Sequence, residues 1–134
     1  KVDALTRLRY TSPMHLPQRI RVFVYALNGI LVMLRSQRNA WIHALATIIV
    51  CSAGWALRVS RPEWCLLILC IMSVWTAEAL NTALEFLADA TSPEYHPLVG
   101  RAKDVAAGAV LITAIGSAVI GALVFAPRLA ALLR

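Results

Sequence analysis

The sequence predicts an all-α membrane protein, and three observations lead to that prediction. Of the 134 residues, 60% are Ala, Val, Ile, Leu, Met, Phe, Trp, Tyr or Cys and only 15% are charged, whereas soluble domains have about 45–50% apolar residues. The mean hydropathy is +0.70. Three stretches with few or no charges reach the roughly 20 residues that a helix needs to cross a bilayer. Because backbone groups in lipid must be hydrogen-bonded within their own segment, we expect three transmembrane helices.

A fourth, shorter helix is expected ahead of these spans, after a basic tail at residues 1–18. Here an uncharged run of thirteen residues, Val22 to Leu34, lies between Arg21 and Arg35. A helix of that length covers about 20 Å, less than the roughly 30 Å of the hydrocarbon core. We therefore expect an N-terminal amphipathic helix over about 19–36 that lies in the membrane interface.

The three longer stretches predict spans at about 39–57, 64–88 and 104–126. The connection between the first two spans is short and contains Pro62, while the second connection is longer, polar and runs over 89–104. The predicted division of the chain is a tail at 1–18, a membrane domain at 19–128 and a C-terminal tail at 129–134.

The distribution of Lys and Arg predicts the orientation of the spans. Nine of these residues lie on the side of the N-terminus and of the second connection: Lys1, Arg7, Arg9, Arg19, Arg21, Arg35, Arg38, Arg101 and Lys103. Four lie on the opposite side: Arg58, Arg61, Arg128 and Arg134. The positive-inside rule then puts the N-terminus and the 89–104 loop in the cytoplasm. The net charge of +6 is thus explained by membrane flanks, and we expect no nucleic-acid partner.

The acidic residues are concentrated where a passive anchor does not need them. Five of the seven fall between residues 78 and 104: Glu78, Glu85, Asp89, Glu94 and Asp104. At 100° per residue, the polar residues of the second span share one helix face about 100° wide: Glu78, Asn81, Thr82, Glu85 and Asp89. Counted from Trp64 at the outer boundary, Glu78 lies about 21 Å along the helix and Glu85 about 31 Å. We expect Glu78 inside the hydrocarbon and Glu85 at the water boundary.

An acid at lipid depth is a candidate for function, because inserting a charge there costs roughly 2.5–3.5 kcal/mol. Glu78 can serve as a general base. The alternative is that a protonated Glu78 only hydrogen-bonds a neighbouring helix, with Asn81 and Thr82 as further contacts. Glu85 and Asp89 are better hydrated, and their hard oxygens are of the kind that holds Mg²⁺ together with phosphates.

The predicted loop offers cations and hydrogen-bond donors at the same membrane face. Lys103 and Asp104 are expected to start the third span, where the helix dipole favours an anion, either Asp104 itself or a bound phosphate. Basic residues beside a membrane are also common as simple anchors, and that reading stays open. Together with the acidic face, the loop forms a site that meets both water and lipid, which suits transfer between a soluble donor and a lipid acceptor.

The order and spacing of these polar residues form a specific signature. It consists of Tyr25-Ala-Leu-Asn-Gly29, Arg38-Asn39 with Ile42-His43, Glu78-Ala-Leu-Asn-Thr-Ala-Leu-Glu85 with Asp89, Glu94-Tyr-His-Pro97 and Lys103-Asp-Val-Ala-Ala-Gly-Ala-Val110. The signature covers roughly residues 19–126 and resembles the bacterial diacylglycerol kinase family of small integral membrane kinases. That family includes undecaprenol kinases, and Pro97 with the Val-Ala-Ala-Gly sequence is closer to the undecaprenol-type branch.

The resemblance implies a homotrimer in the bacterial inner membrane that uses MgATP to phosphorylate the hydroxyl of diacylglycerol or undecaprenol, for phospholipid or cell-envelope lipid recycling. Glu78 would take the proton from that hydroxyl, with Asn81 supporting it, and Glu85 would bind the metal. The residues implied to contact the nucleotide are Tyr25, Glu85, Glu94, Tyr95, His96, Lys103 and Asp104.

One position departs from the family pattern. The family commonly has a Glu as second metal ligand before the Arg-Asn pair, and this chain has Gln37. A neutral amide binds Mg²⁺ through its oxygen but supplies no charge. This leaves open a catalytically weakened member that acts as a membrane subunit.

A proton or cation pathway protein is the other alternative, with the acidic face as a polar track. It predicts further polar groups in the outer half of the span, where residues 64–75 offer only Ser73 and two thiols. Elsewhere, His43 in the first span is interpreted as a helix-packing residue. Trp41 and Trp64 are interpreted as anchors in the aromatic belts of the interface.

Overall fold

The computed structural model describes residues 18–94 and 96–132, with side chains from Ile20 onward. Within this part the chain forms four helices: α1 (Gln18–Ser36), α2 (Arg38–Ala56), α3 (Arg61–Thr91) and α4 (Pro97–Leu132). Helices α2, α3 and α4 are each long and apolar enough to cross a membrane. The predicted all-helical chain with three candidate spans is therefore confirmed.

The described chain divides into two compact units between Val32 and Met33. The described part of the first unit is residues 18–32 of α1, whose large apolar side chains, Phe23 among them, are exposed. The second unit contains the end of α1 and all of α2, α3 and α4. In this unit α3 packs against both α2 and α4.

Helix α2 ends in a Schellman motif. The Val59 N–H donates to the carbonyl of Gly54 at 3.0 Å, and the Arg58 N–H donates to the carbonyl of Trp55 at 3.2 Å. Arg58 has a φ of 51°, in the left-handed region where glycine is the usual residue at this position. The turn leaves only a few residues before α3, so α2 and α3 pack as neighbours.

Helix α3 begins with a capping box that is also tied to α4. Ser60 is the N-cap, and its backbone N–H donates to Glu63 Oε2 at 3.0 Å. Pro62 occupies the first turn, where its missing N–H costs nothing. Arg128 on α4 donates from Nη1 to Glu63 Oε1 at 2.8 Å and from Nη2 to Oε2 at 2.5 Å. This bidentate ion pair fixes the start of α3 against the end of α4.

The hydrophobic core of the second unit lies at the same end of the helices. Its buried members are Val59, Leu67 and Val124, and Trp64 packs against them. The Trp64 ring also lies over Gly54, where an added Cβ would be 2.8 Å from two ring carbons. The half-buried Trp64 ring thus fills a gap between helices, whereas Trp41 is exposed. The role of both residues as interfacial anchors stays a prediction.

The end of α3 and the start of α4 differ from the predicted boundaries. Helices α3 and α4 have 31 and 36 residues, or about 46 and 54 Å, which exceeds the roughly 30 Å of hydrocarbon. The predicted 89–104 connection shrinks to residues 92–96 because α4 starts at Pro97, a residue favoured in the first turn of a helix. Lys103 and Asp104 thus lie nearly two turns inside α4, not at its start. Pro127 lies within α4, which continues to Leu132.

Candidate active site

The buried polar groups of α3 form the centre of the site. Within the described residues the buried polar side chains are Glu78, Asn81 and Thr82, with exposures of 1%, 5% and 3%. Thr82 Oγ1 donates to the Glu78 backbone carbonyl at 2.8 Å. In the described part of the chain, neither carboxylate oxygen of Glu78 nor Oδ1 of Asn81 has a hydrogen-bond partner. Since buried polar atoms are nearly always hydrogen-bonded, these three oxygens mark a place where a ligand can bind.

His43 on α2 is the neighbour of the buried carboxylate. Its Nε2 lies 3.9 Å from Glu78 Oε2, and its side chain is 15% exposed. One turn further along α2, Thr47 Oγ1 accepts a hydrogen bond from Trp75 Nε1 at 3.1 Å. That bond holds α2 and α3 in register beside the His43–Glu78 contact. The interpretation of His43 as a packing residue did not anticipate this contact.

Glu85 lies two turns after Glu78 on α3 and is half-buried. Gln37 Nε2 donates to Glu85 Oε2 at 2.5 Å, and Asn81 Nδ2 donates to Glu85 Oε1 at 3.3 Å. Gln37 is the extended residue before α2, and its backbone N–H donates to the Met33 carbonyl at 2.9 Å. The structure therefore brings together Gln37 and Glu85, the two residues that the sequence singled out for a metal.

A second polar contact joins the end of α3 to the start of α4. Lys103 Nζ lies 3.0 Å from Asp89 Oδ1, with side-chain exposures of 38% and 66%. Because α4 begins before Lys103, the ammonium group reaches back to α3 from the side of the helix. Sequence reasoning placed both residues at this membrane face but did not pair them.

The other residues predicted to bind nucleotide are exposed or lie elsewhere in the chain. Glu94, His96 and Asp104 are exposed, and none of them is hydrogen-bonded to Glu85 among the described residues. Tyr25 is on α1, in the first compact unit. Tyr95 lies outside the described residues. These five nucleotide contacts remain predictions.

Gln37 and Glu85 can hold Mg²⁺ only together with phosphate oxygens. Among the residues that the structure describes, no three His, Cys, Asp or Glu side chains converge as a metal site. Glu85 and Gln37 supply a carboxylate and an amide in direct contact, and the amide can present its oxygen after rotating by half a turn. Mg²⁺ is commonly held by one or two carboxylates plus substrate phosphates. The residues fit such a shared ion, and not one bound by protein alone.

Fold and site together define a small membrane protein with three candidate spans and a buried acid on the middle one. A sequence model described as prokaryotic diacylglycerol kinase matches residues 24–125. Undecaprenol kinase from Bacillus subtilis is 41% identical over 80% of this chain and 87% of the relative. Diacylglycerol kinase from Synechocystis is 35% identical over 99% of this chain and 77% of the relative. Diacylglycerol kinase from Escherichia coli K12 is 45% identical over 53% of this chain and 55% of the relative.

The chain belongs to the prokaryotic diacylglycerol kinase family, a family of membrane lipid kinases. The expectation of a lipid kinase, drawn from the motifs on α3 and α4, is thereby confirmed. The comparisons do not favour a pathway protein or a non-catalytic subunit. Because the family covers three quarters of the chain, from α1 through most of α4, it includes every helix that contributes to the site.

Proposed function

We propose that the protein transfers the γ-phosphate of ATP to the hydroxyl of a membrane lipid, either diacylglycerol or undecaprenol. The observation that carries the proposal is Glu78, a 1% exposed carboxylate without a hydrogen-bond partner in the described chain. It lies on a helix long and apolar enough to cross a membrane. A lipid hydroxyl is a group that reaches such a depth and needs a proton acceptor there.

In the proposed mechanism, Glu78 accepts the proton of the lipid hydroxyl while the hydroxyl oxygen bonds to the γ-phosphorus. The bond from that phosphorus to the β–γ bridging oxygen breaks, and ADP leaves. Asn81 supports this arrangement, because its Nδ2 donates to Glu85 while its buried Oδ1 has no partner among the described residues and can accept a hydrogen bond from a substrate. Positioning and charge neutralisation are most of what phosphoryl transfer asks of a protein.

Glu85, with Gln37, would hold Mg²⁺ together with the nucleotide phosphates. A bound Mg²⁺ neutralises phosphate charge and orients the transferred group. Lys103 would exchange its contact with Asp89 for a phosphate oxygen, since both side chains are accessible. The proposed nucleotide contacts are completed by Tyr25, Glu94, Tyr95, His96 and Asp104.

We further propose a homotrimer in the bacterial inner membrane, with the N-terminus and the 89–104 segment in the cytoplasm. The excess of Lys and Arg on that side supports the orientation. Helix α1 would lie in the interface, since it is not among the candidate spans found in the described chain. Residues 19–128 would form the catalytic domain, and the large exposed apolar side chains of the spans would face lipid or a neighbouring subunit.

The test is transfer of labelled γ-phosphate from MgATP by purified protein in mixed micelles, with diacylglycerol and undecaprenol offered separately. We expect transfer to at least one lipid. Glu78→Gln should lower the rate about 10²- to 10⁴-fold, the usual contribution of a general base. Ser73→Ala is the control on the same helix, because the exposed Ser73 hydroxyl donates to the Leu69 carbonyl of its own helix, and this variant should stay active.

Two results would contradict the proposal in different ways. A near wild-type rate in Glu78→Gln would show that Glu78 is not the base. Folded wild-type protein that phosphorylates neither lipid would refute the activity itself and return attention to the weakened-member reading of Gln37.

A further inference from the structure

A cavity of about 320 Å³ lies between α2, α3 and α4, within the second compact unit. Its size falls in the 300–1,000 Å³ range of small-molecule sites, which are mostly apolar with a few polar groups. Four of its lining residues carry nitrogen or oxygen atoms on their side chains: Thr47, Trp75, Ser117 and His43. Thr47 and Trp75 bond each other, and Ser117 donates to the Cys70 carbonyl at 3.4 Å.

His43 differs from the other three. Among the described residues its imidazole has no hydrogen bond, and it both lines the cavity and lies 3.9 Å from the Glu78 carboxylate. A group bound at this edge of the cavity can therefore contact the His43 ring close to the Glu78 carboxylate. The apolar cavity and the buried acid are joined at this one polar side chain.

The separation of the two side chains suits a bridging oxygen. At 3.9 Å, Nε2 and Oε2 are too far apart for a direct hydrogen bond, which needs about 2.7–3.2 Å. An oxygen placed about 2.8 Å from each atom completes a triangle with an angle of about 90° at that oxygen. A hydroxyl can accept from Nε2–H and donate its own hydrogen to the carboxylate. Water has the same chemistry, so the acceptor lipid must be tested against a version without the hydroxyl.

We propose that His43 binds the acceptor hydroxyl together with Glu78, and that the cavity receives the adjoining part of the lipid chain. The inference rests on the proposed function and adds a residue to it. His43 Nε2–H donates to the hydroxyl oxygen and directs the hydroxyl hydrogen toward Glu78. During transfer that proton moves to Glu78, and His43 keeps its own.

The kinetic test varies lipid and MgATP separately. His43→Leu should lower kcat/KM for the lipid about tenfold, the loss expected for one hydrogen bond to the reacting group, and should leave KM for MgATP within about twofold. His43→Asn should recover part of the loss, because its amide can donate. Ser73→Ala is the control, since it removes a polar group from α3 that does not line this cavity. Equal rates for wild type and His43→Leu, or equal losses in the lipid and MgATP parameters, would overturn the assignment.

A binding test makes the result independent of turnover. Thermal stabilisation is measured with dioctanoylglycerol and with the propanediol diester that lacks only the free hydroxyl, and likewise with farnesol and the matching hydrocarbon. Wild-type protein should be stabilised more by the alcohol of at least one pair, and His43→Leu should lose that difference. Equal shifts for both members of each pair in the wild type would refute a hydroxyl site.

The two proposals fail separately in this design. A hydroxyl-dependent shift that disappears in His43→Leu, without phosphoryl transfer by the wild type, keeps the binding site and refutes the kinase mechanism. Transfer that depends on Glu78, with lipid parameters unchanged in the His43 variants, keeps the mechanism and refutes the role of His43.

Discussion

Replacing Gln37 by Glu should turn the contact between residues 37 and 85 from a hydrogen bond into a pair of carboxylates. In the structure Gln37 Nε2 donates to Glu85 Oε2 at 2.5 Å. In Gln37→Glu the donor becomes a second negative charge, and two unit charges about 4 Å apart repel by about 4 kcal/mol at an effective dielectric constant of about 20. Rotation toward water or uptake of a proton relieves part of this, so we expect a loss of about 1–4 kcal/mol in the free energy of unfolding without divalent cations.

Mg²⁺ should reverse that loss, because a divalent cation between two carboxylates replaces repulsion by attraction. Binding at about one hundred times its dissociation constant stabilises a protein by about 2.7 kcal/mol. We therefore expect the melting temperature of Gln37→Glu to rise with added MgCl₂, while the wild-type value changes little. Phosphoryl transfer by the variant should reach half its maximal rate at a lower free Mg²⁺ concentration than transfer by the wild type.

The measurement is thermal unfolding in detergent micelles with EDTA or MgCl₂, combined with a Mg²⁺ titration of the transfer rate. Gln37→Ala is the matched control, because it removes the same hydrogen bond without adding charge and should show no Mg²⁺-dependent gain. If Gln37→Glu were as stable as the wild type in EDTA and insensitive to Mg²⁺, residues 37 and 85 would not form a metal site.

Two further predictions concern the packing of Trp64 on Gly54 and the contact between Lys103 and Asp89. Gly54→Ala should lower the free energy of unfolding by about 1–3 kcal/mol, because the added Cβ would lie 2.8 Å from the Trp64 ring. Gly116→Ala is the control, because its added Cβ meets open space, and it should leave the free energy of unfolding nearly unchanged. Equal thermal unfolding of the two variants would contradict the packing of Trp64 on Gly54. Asp89→Asn removes the 3.0 Å partner of Lys103 and should lower KM for MgATP about two- to fivefold at low salt, with kcat nearly unchanged. A higher KM would show that Asp89 helps to bind the nucleotide.

The face of α3 could be predicted from the sequence because a helix of fixed period aligns its polar residues whatever surrounds it. Glu78, Asn81 and Thr82 are buried together, as their angles on the helix indicate. The residues of α2 that contact this face of α3 could not be predicted so readily. Helix α2 is apolar on every side, so hydropathy gives no direction for it. One internal signal is the spacing of His43 and Thr47, four residues apart on one face, and both contact α3.

The boundary of α4 was missed for a different reason. The polar stretch around Arg101, Lys103 and Asp104 resembles a loop in composition, and spans were predicted from uncharged runs. Hydropathy measures which residues can lie in lipid, whereas helix formation depends on backbone hydrogen bonds and on local signals such as Pro97 at the start. A helix that continues past the hydrocarbon core therefore escapes a prediction based on charge. The contact between Lys103 and Asp89 depends on this extension.

The length of α3 allows one helix to contact both a soluble nucleotide and a membrane lipid. Glu78 and Glu85 are seven residues apart, which is about 10 Å along the axis with a rotation of only about 20°. The same face thus presents the buried Glu78 and the half-buried Glu85. Asn81 lies between them in the chain, with Nδ2 bonded to Glu85 and Oδ1 buried without a partner among the described residues. Under the proposed mechanism, the nucleotide phosphates at Glu85 and the lipid hydroxyl at Glu78 approach along this face from opposite ends. Neither substrate then has to enter the solvent of the other, which is the main difficulty in phosphorylating a lipid from a soluble donor.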